Sequence, residues 1–261
     1  VAGPILGAVL VELVPIEYIL AIDIATAGVA ILALACIMIP QIKPKTREKD
    51  QGFTRQAVEG FRYLFVRKGL GLLFLYIAMV RLFTIPAWRF LPLLVTQHFG
   101  GGAIHLGLIS SAFGAGVLLG GLLLTARHGF GRRIFTSWVG LTGCGITFLL
   151  VGSANANMYW LALLACGVFG IMFSLYMAPI SAIIHTTVPK EIQGRVFALF
   201  NTAKTVTTPL GLALSGLVAS FAGIRILFVF AAAGMLLFSL LTILTRPIMN
   251  VETQEQDNAN H

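Results

Sequence analysis

Charge is what this sequence has least of. Only 11% of its 261 residues are Asp, Glu, Lys or Arg, where a soluble domain carries about 25%. So few ionised groups cannot cover a water-facing surface, so lipid must cover much of the exterior. Acids are rarer than bases: Asp and Glu number 10 against 18 Lys and Arg, a formal net charge of +8. A basic balance is one mark of a nucleic-acid binder. Here the basic residues sit mostly in short loops between apolar blocks, and no exposed tract alternates basic with aromatic residues as single-strand binders do. No nucleic-acid partner is expected.

Cysteine is sparse too. Cys36, Cys144 and Cys166 lie far apart in apolar blocks, with neither CxxC spacing nor a disulfide framework, and read as small core residues. The histidines, His98, His105, His128, His185 and His261, have no zinc-ligand spacing. No HExxH, P-loop or GxGxxG is present. Ser110 and Ser111 stand in an apolar span with nothing beside them to mark a nucleophile. No metal, cofactor or catalytic residue is expected, and the chain does not read as an enzyme. A secretory leader is also missing: Val1 to Leu10 has no basic stretch followed by a small-residue cleavage site. It reads as the tail of a span, so the chain is expected to be a C-terminal fragment lacking the N-terminal half of its protein.

What the sequence has instead is apolar runs. Hydrophobic residues make up 57%, and the mean hydropathy is +0.91. A helix needs about 20 mainly apolar residues to cross the hydrocarbon core. Segments near 18–40, 69–96, 104–126, 134–153, 157–184, 195–221 and 224–246 meet that length, after a partial span at 1–12. The expected fold is an all-α polytopic membrane protein.

Loop charge sets the expected orientation. One set of loops holds Lys43, Lys45, Arg47, Lys49, Arg55, Arg62, Arg67 and Lys68, then Arg127, Arg132 and Arg133, then Lys190 and Arg195, then Arg246. The alternate set holds only Arg225. That asymmetry places the first set, and the C-terminus, in the cytoplasm. The longest connection, 41–68, opens after Pro40, and its Phe53, Ala57, Phe61 and Leu64 have helical spacing between charges, as in an amphipathic interfacial helix. The tail 247–261 is polar and reads as disordered. A faint repeat lays Tyr18–Pro40 over Arg225–Pro247, matching Ile19, Leu20, Ala25, Leu34 and Pro40 to Ile226, Leu227, Ala232, Leu241 and Pro247.

Charges inside spans need a reason, since each costs about 2.5–3.5 kcal/mol at a helix centre. They are Asp23, Arg81, Arg89 and Lys204. Asn201, Lys204, Thr205 and Thr208 fall at i, i+3, i+4 and i+7 and so share one helix face. A stripe like this faces a water-filled cavity or an interhelical hydrogen-bond seam. Arg81, Thr84 and Trp88 form a second stripe, with Arg89 beside it and an expected bend at Pro86. Asp23 is expected to neutralise Arg81 or Arg89. Gly114, Gly116, Gly120 and Gly121 lie in one span, with a GxxxG at Gly116 and Gly120 that allows close helix contact.

Three stretches together resemble a known family. Gly3-Pro4-Ile5-Leu6-Gly7-Ala8 resembles the end of the GPxxGG antiporter motif on the fifth helix of major facilitator superfamily exporters, with Ala8 in place of its last Gly. Gly120-Gly121 through Arg127-His128-Gly129-Phe130-Gly131-Arg132-Arg133 is similar to the degenerate second copy of that superfamily's basic loop motif, without its acidic residue. Val188-Pro189-Lys190-Glu191-Ile192-Gln193-Gly194-Arg195-Val196-Phe197 resembles the loop before helix eleven in the drug:proton antiporter branch, which includes macrolide-efflux and enterobactin-export proteins. Gly60-Phe61-Arg62-Tyr63-Leu64 also looks like that branch's entry to helix seven.

The resemblance implies a division of the chain. Residues 1–40 would be the end of helix five and helix six of the N-terminal bundle, 41–68 the cytoplasmic inter-bundle linker, and 69–246 the C-terminal six-helix bundle. It also implies that helices seven, ten and eleven border a central cavity, that Tyr176-Met177-Ala178-Pro179 bends helix ten, and that helix six with Asp23 is peripheral. The expected function is secondary active export of a small molecule, drug-like or siderophore, across the cytoplasmic membrane, with protons as coupling ion. Alternatives are an importer or lipid transporter on the same fold, or a non-transporting receptor or assembly protein. Arg81, Thr84, Trp88, Asn201, Lys204, Thr205 and Thr208 are the substrate-cavity candidates. Gly3, Pro4 and Gly7 are the antiporter-motif residues. Arg127, Arg132, Arg133, Gly194 and Arg195 are the cytoplasmic gating candidates.

Overall fold

In the computed structural model the described residues are 1–37, 68–126, 133–188 and 190–244. They form α1 (Ala2–Leu13), α2 (Ile16–Cys36), α3 (Lys68–Arg89), α4 (Leu91–Gln97), α5 (Ala103–Ala126), α6 (Arg133–Ser153), α7 (Tyr159–Thr187), α8 (Lys190–Ala222) and α9 (Ile224–Leu244). Seven of the helical stretches are long and apolar enough to cross a membrane, with α3 and α4 together making one. The chemistry of lipid explains why the apolar runs become helices. No water is available there to satisfy backbone N–H and C=O groups, and a helix pairs all of them within one segment. The chain is an all-α polytopic membrane protein.

The span near 69–96 departs from expectation in one detail. The helix continues past Pro86, and the break comes at Phe90, whose φ of −88° and ψ of 0° separate α3 from α4. Pro92 sits in the first turn of α4, where a missing N–H costs no helical hydrogen bond. The tightest turn lies between α8 and α9. It consists of Gly223 at φ +87°, whose amide donates to the Ala219 carbonyl at 3.0 Å. Only glycine adopts that left-handed cap without strain.

Small residues bring the core helices together. A Cβ on Gly120 would stand 2.7 Å from the Ile171 carbonyl oxygen, and one on Gly116 would strike the carbonyl of Gly167. The GxxxG stretch of α5 is therefore in backbone contact with α7. On the other side of α7, a Cβ on Gly140 of α6 would run into backbone atoms of Met172, Leu175 and Tyr176. Side-chain bonds tie α6 to α9: Trp138 Nε1 donates to the Ser239 carbonyl at 3.0 Å, and the Thr142 and Ser239 hydroxyls lie 2.5 Å apart. Phe83 of α3 packs on Phe230 and Phe238 of α9, and Phe74 meets Phe200 of α8 edge-on at 5.1 Å. Cys144 and Cys166 are buried free thiols.

The first two helices differ from the rest. α1 lies along α5. A Cβ on Gly107 would come within 2.6 Å of the Ala8 methyl carbon and 2.9 Å of the Pro4 carbonyl oxygen, and the Ser111 hydroxyl donates to the Val1 carbonyl at 2.8 Å. α2 buries none of its residues. Asp23 is exposed on it, and among the described residues no ion pair joins Asp23 to Arg81 or Arg89. The expected neutralising pair is not formed among the described residues, where Asp23 stands exposed.

The expected amphipathic helix of the 41–68 connection, the polar tail, and the loop bearing Arg127 and Arg132 lie outside the described residues, apart from Lys68 at the start of α3.

Candidate functional site

A cavity of about 1010 Å³ opens between α3, α7 and α8. That is the upper end of ordinary small-molecule pockets, about 300–1,000 Å³. The two polar stripes of the sequence meet there. Arg81, Thr84 and Trp88 line it from α3, and Thr205 and Thr208 line it from α8, with Arg89 also on the wall. They converge because each set occupies one face of its helix, and the packing turns both faces toward the same space.

Arg81 is half-buried, and its Nε is fully shielded with no hydrogen-bond partner. Thr84 turns its hydroxyl back to the Val80 carbonyl at 2.8 Å, and Thr205 does the same to Asn201 at 3.1 Å. Such bonds satisfy hydroxyls inside an apolar span. Pro209 lies inside α8 and lines the cavity. It has no amide to give to the Thr205 carbonyl one turn earlier. Asn201 is exposed and lies off the cavity wall. The Lys204 side chain is outside the described residues.

Trp88 anchors an aromatic cluster. Its ring stacks on Phe169 at 5.7 Å with planes 19° apart and lies 4.5 Å from Phe113. Phe169 in turn stacks on Phe148 at 4.5 Å, and Phe173 lies 5.8 Å from Phe113. Met177 and Met235 add polarisable, adaptable surface to the same wall.

Several wall residues are not among the cavity candidates read from the sequence, although Tyr176 stands in the stretch expected to bend helix ten. Phe169, Phe173 and Tyr176 recur at i, i+4 and i+7 on α7, and Leu106, Ser110 and Phe113 do so on α5. Both are single-face patterns, legible but indistinguishable from core stripes. The two serines divide: Ser110 faces the cavity, and Ser111 is buried against α1. A second legible signal is the absence of acid. Between Gly69 and Met249 the only acidic residue is Glu191, in the first turn of α8.

The other candidates lie elsewhere. Gly3 and Gly7 of α1 have nothing within 4 Å of a Cβ position, whereas the Pro4 carbonyl and Ala8 press on Gly107 of α5. Arg133, at the start of α6, donates from Nη1 to the Thr186 hydroxyl of α7 at 3.3 Å. Gly194 is exposed in α8 with open space around it, and the Arg195 side chain lies outside the described residues. Among the described residues no cluster of His, Cys, Asp or Glu could hold a metal.

Membrane-length helices around a mainly apolar, arginine-bearing cavity define a polytopic membrane protein with a pocket of small-molecule size. The model of the transmembrane secretion effector family, a division of the major facilitator superfamily, matches residues 1–261, and the chain belongs to that family. It is 27% identical over 225 residues to macrolide efflux protein A of Streptococcus pyogenes, an alignment covering 86% of this chain and 56% of that protein. To macrolide efflux protein A of Enterococcus faecalis it is 25% identical over 212 residues, covering 81% of this chain and 66% of the relative. To the multidrug efflux pump Tap of Mycobacterium tuberculosis it is 25% identical over 233 residues, covering 87% and 54%. The chain thus spans between about half and two thirds of the length of these relatives.

Proposed function

We propose that this chain supplies the C-terminal bundle, with helices five and six, of an exporter that moves a small molecule across the cytoplasmic membrane. Residues 1–40 would belong to the N-terminal bundle, 41–68 to the linker, and 69–246 to the C-terminal bundle, with the C-terminus in the cytoplasm. The observation that carries the reading is the cavity where Arg81, Thr84, Trp88, Thr205 and Thr208 meet. The efflux names of the relatives support the outward direction.

Transport would proceed by alternating access, two bundles rocking about a site near the midplane. The substrate would be a drug-like compound or a siderophore. The coupling ion would be the proton. Because Gly69 to Met249 offers only Glu191, a proton-carrying carboxylate would sit outside the C-terminal bundle's spans. The packing of α1 on α5 through Pro4 and Ala8 would join the two bundles. Arg127, Arg132, Arg133 and Arg195 would bias the inward-closed state by meeting helix C-termini, which are partly negative.

The test is efflux from energised cells expressing the full-length protein. The panel would hold a macrolide, a lipophilic dye and a catecholate siderophore, each with and without a protonophore. Export that stops when the proton gradient collapses is expected. Protein present in the membrane without export of any compound would overturn the reading. Neutralising Arg195 is expected to slow turnover at unchanged abundance; unaltered transport would remove the gating role.

A further inference from the structure

The cavity wall has an internal spacing that specifies more than size. α3 and α7 face each other across it, and their cavity residues match in antiparallel order. Trp88 stacks on Phe169, and seven residues away on each helix Arg81 and Tyr176 line the same wall. The two rungs are therefore about 10 Å apart along the helix axis, at 1.5 Å per residue.

The rungs differ in chemistry. The Trp88 rung is a stack of π-faces widened by Phe113 and Phe173. The Arg81 rung is made of donors. The Arg81 Nε is shielded and unpartnered, and so is the Tyr176 hydroxyl on a side chain only 4% exposed. Tyr176 is also held in place. Ser137 donates to its carbonyl at 3.0 Å, and Gly140 lets α6 press against its backbone. A buried donor without an acceptor is costly, and a rigid one is suited to an acceptor that arrives from outside. The described wall holds two arginines, Arg81 and Arg89, and no carboxylate.

On the reading of this cavity as a substrate route, we infer that it selects an aromatic amphiphile bearing an anionic oxygen about two helical turns from its ring. The anion meets the Arg81 guanidinium and the Tyr176 hydroxyl, and the ring enters the Trp88 slot. A substrate with an ammonium group at the same distance is rejected, because it would bring a second positive charge to an unneutralised arginine in a low-dielectric wall.

Three congeners with one ring and one chain length test this: 4-(1-pyrenyl)butyrate, its primary amide, and 4-(1-pyrenyl)butylamine. Binding would be measured to the full-length protein in nanodiscs, with protein-free nanodiscs subtracting partition into lipid. The butyrate is expected to bind about tenfold or more tighter than the amine, with the amide between, from the strength of hydrogen bonds to charged groups. Arg81→Gln should abolish that ratio, Arg81→Lys should keep most of it, and Tyr176→Phe should reduce it by a smaller factor. Trp88→Ala should weaken all three ligands alike. A ratio does not depend on how much protein is folded. An amine that binds as tightly as the butyrate, or a ratio untouched by Arg81→Gln, overturns the inference. Proteoliposome transport separates it from the export reading. Selective binding without net movement would sink export and leave the site, whereas movement of all three without preference would sink the site and leave export.

Discussion

α6 and α8 are both apolar enough to cross a membrane and have very different surroundings. Their best apolar windows have mean hydropathies of 1.8 and 1.4, yet 56% of the first is buried and only 12% of the second. α6 carries Gly140, Gly145 and Gly152, each pressed against a neighbouring helix. α8 has Gly216 with open space around it, and Leu210, Leu214, Leu217 and Phe221 are exposed. Thr205 and Thr208 line the cavity. Hydropathy selects the membrane for both helices. Small residues decide which of them becomes core, because lipid is as apolar as leucine and gives no hydrophobic drive for helices to associate.

Substitutions can break this contrast, beginning with the largest effect. Gly140→Leu would place a side chain into the backbone of α7 at Tyr176 and should cost about 3 kcal/mol or more, the upper range for overpacking. Thermal unfolding followed by a thiol-reactive dye on buried Cys144 and Cys166 would register it; an unchanged midpoint would contradict the packing described. Arg81→Met should leave that midpoint nearly unaltered while lowering export about tenfold, the equivalent of about 1.4 kcal/mol. Equal losses in folding and export would assign Arg81 to structure. Trp138→Phe removes the bond to the Ser239 carbonyl and should cost about 1 kcal/mol, read in the same melt. Leu217→Ala, on the exposed side of α8, should stay within about 0.5 kcal/mol, and a larger drop would mean that another protein surface covers that face.

The spans were legible to within a few residues, since length and hydropathy alone set them. The break between α3 and α4 was not foreseen. Pro86 drew attention as an interior proline, but the helix continues past it and ends at Phe90, ahead of Pro92. Proline weakens a helix wherever it falls, and neighbouring helices decide whether the helix holds. The pairing of Asp23 with an arginine was also misjudged. Opposite charges on different spans imply attraction only if the spans are neighbours, and sequence carries no direct record of that. The cavity was half legible. Arg81, Thr84 and Trp88 on α3 and Thr205 and Thr208 on α8 are polar or amphipathic residues whose presence in apolar spans demanded explanation. Phe113, Phe169 and Phe173 raised no such demand, because an aromatic face toward a cavity and one toward a core have the same spacing.

By itself, then, the sequence determined that the chain crosses the membrane many times as helices, because so few charges cannot cover a water-facing surface and lipid leaves the backbone no other partner. It also determined which residues were out of place there. Only the tertiary structure decided that Trp88 stacks on Phe169 while Arg81 and Tyr176 line the same cavity two turns away, and that α6 is core where α8 is wall. Those outcomes depend on which helix faces meet, and that is set by the close backbone contacts at Gly116, Gly120 and Gly140 rather than by the hydropathy of any single segment.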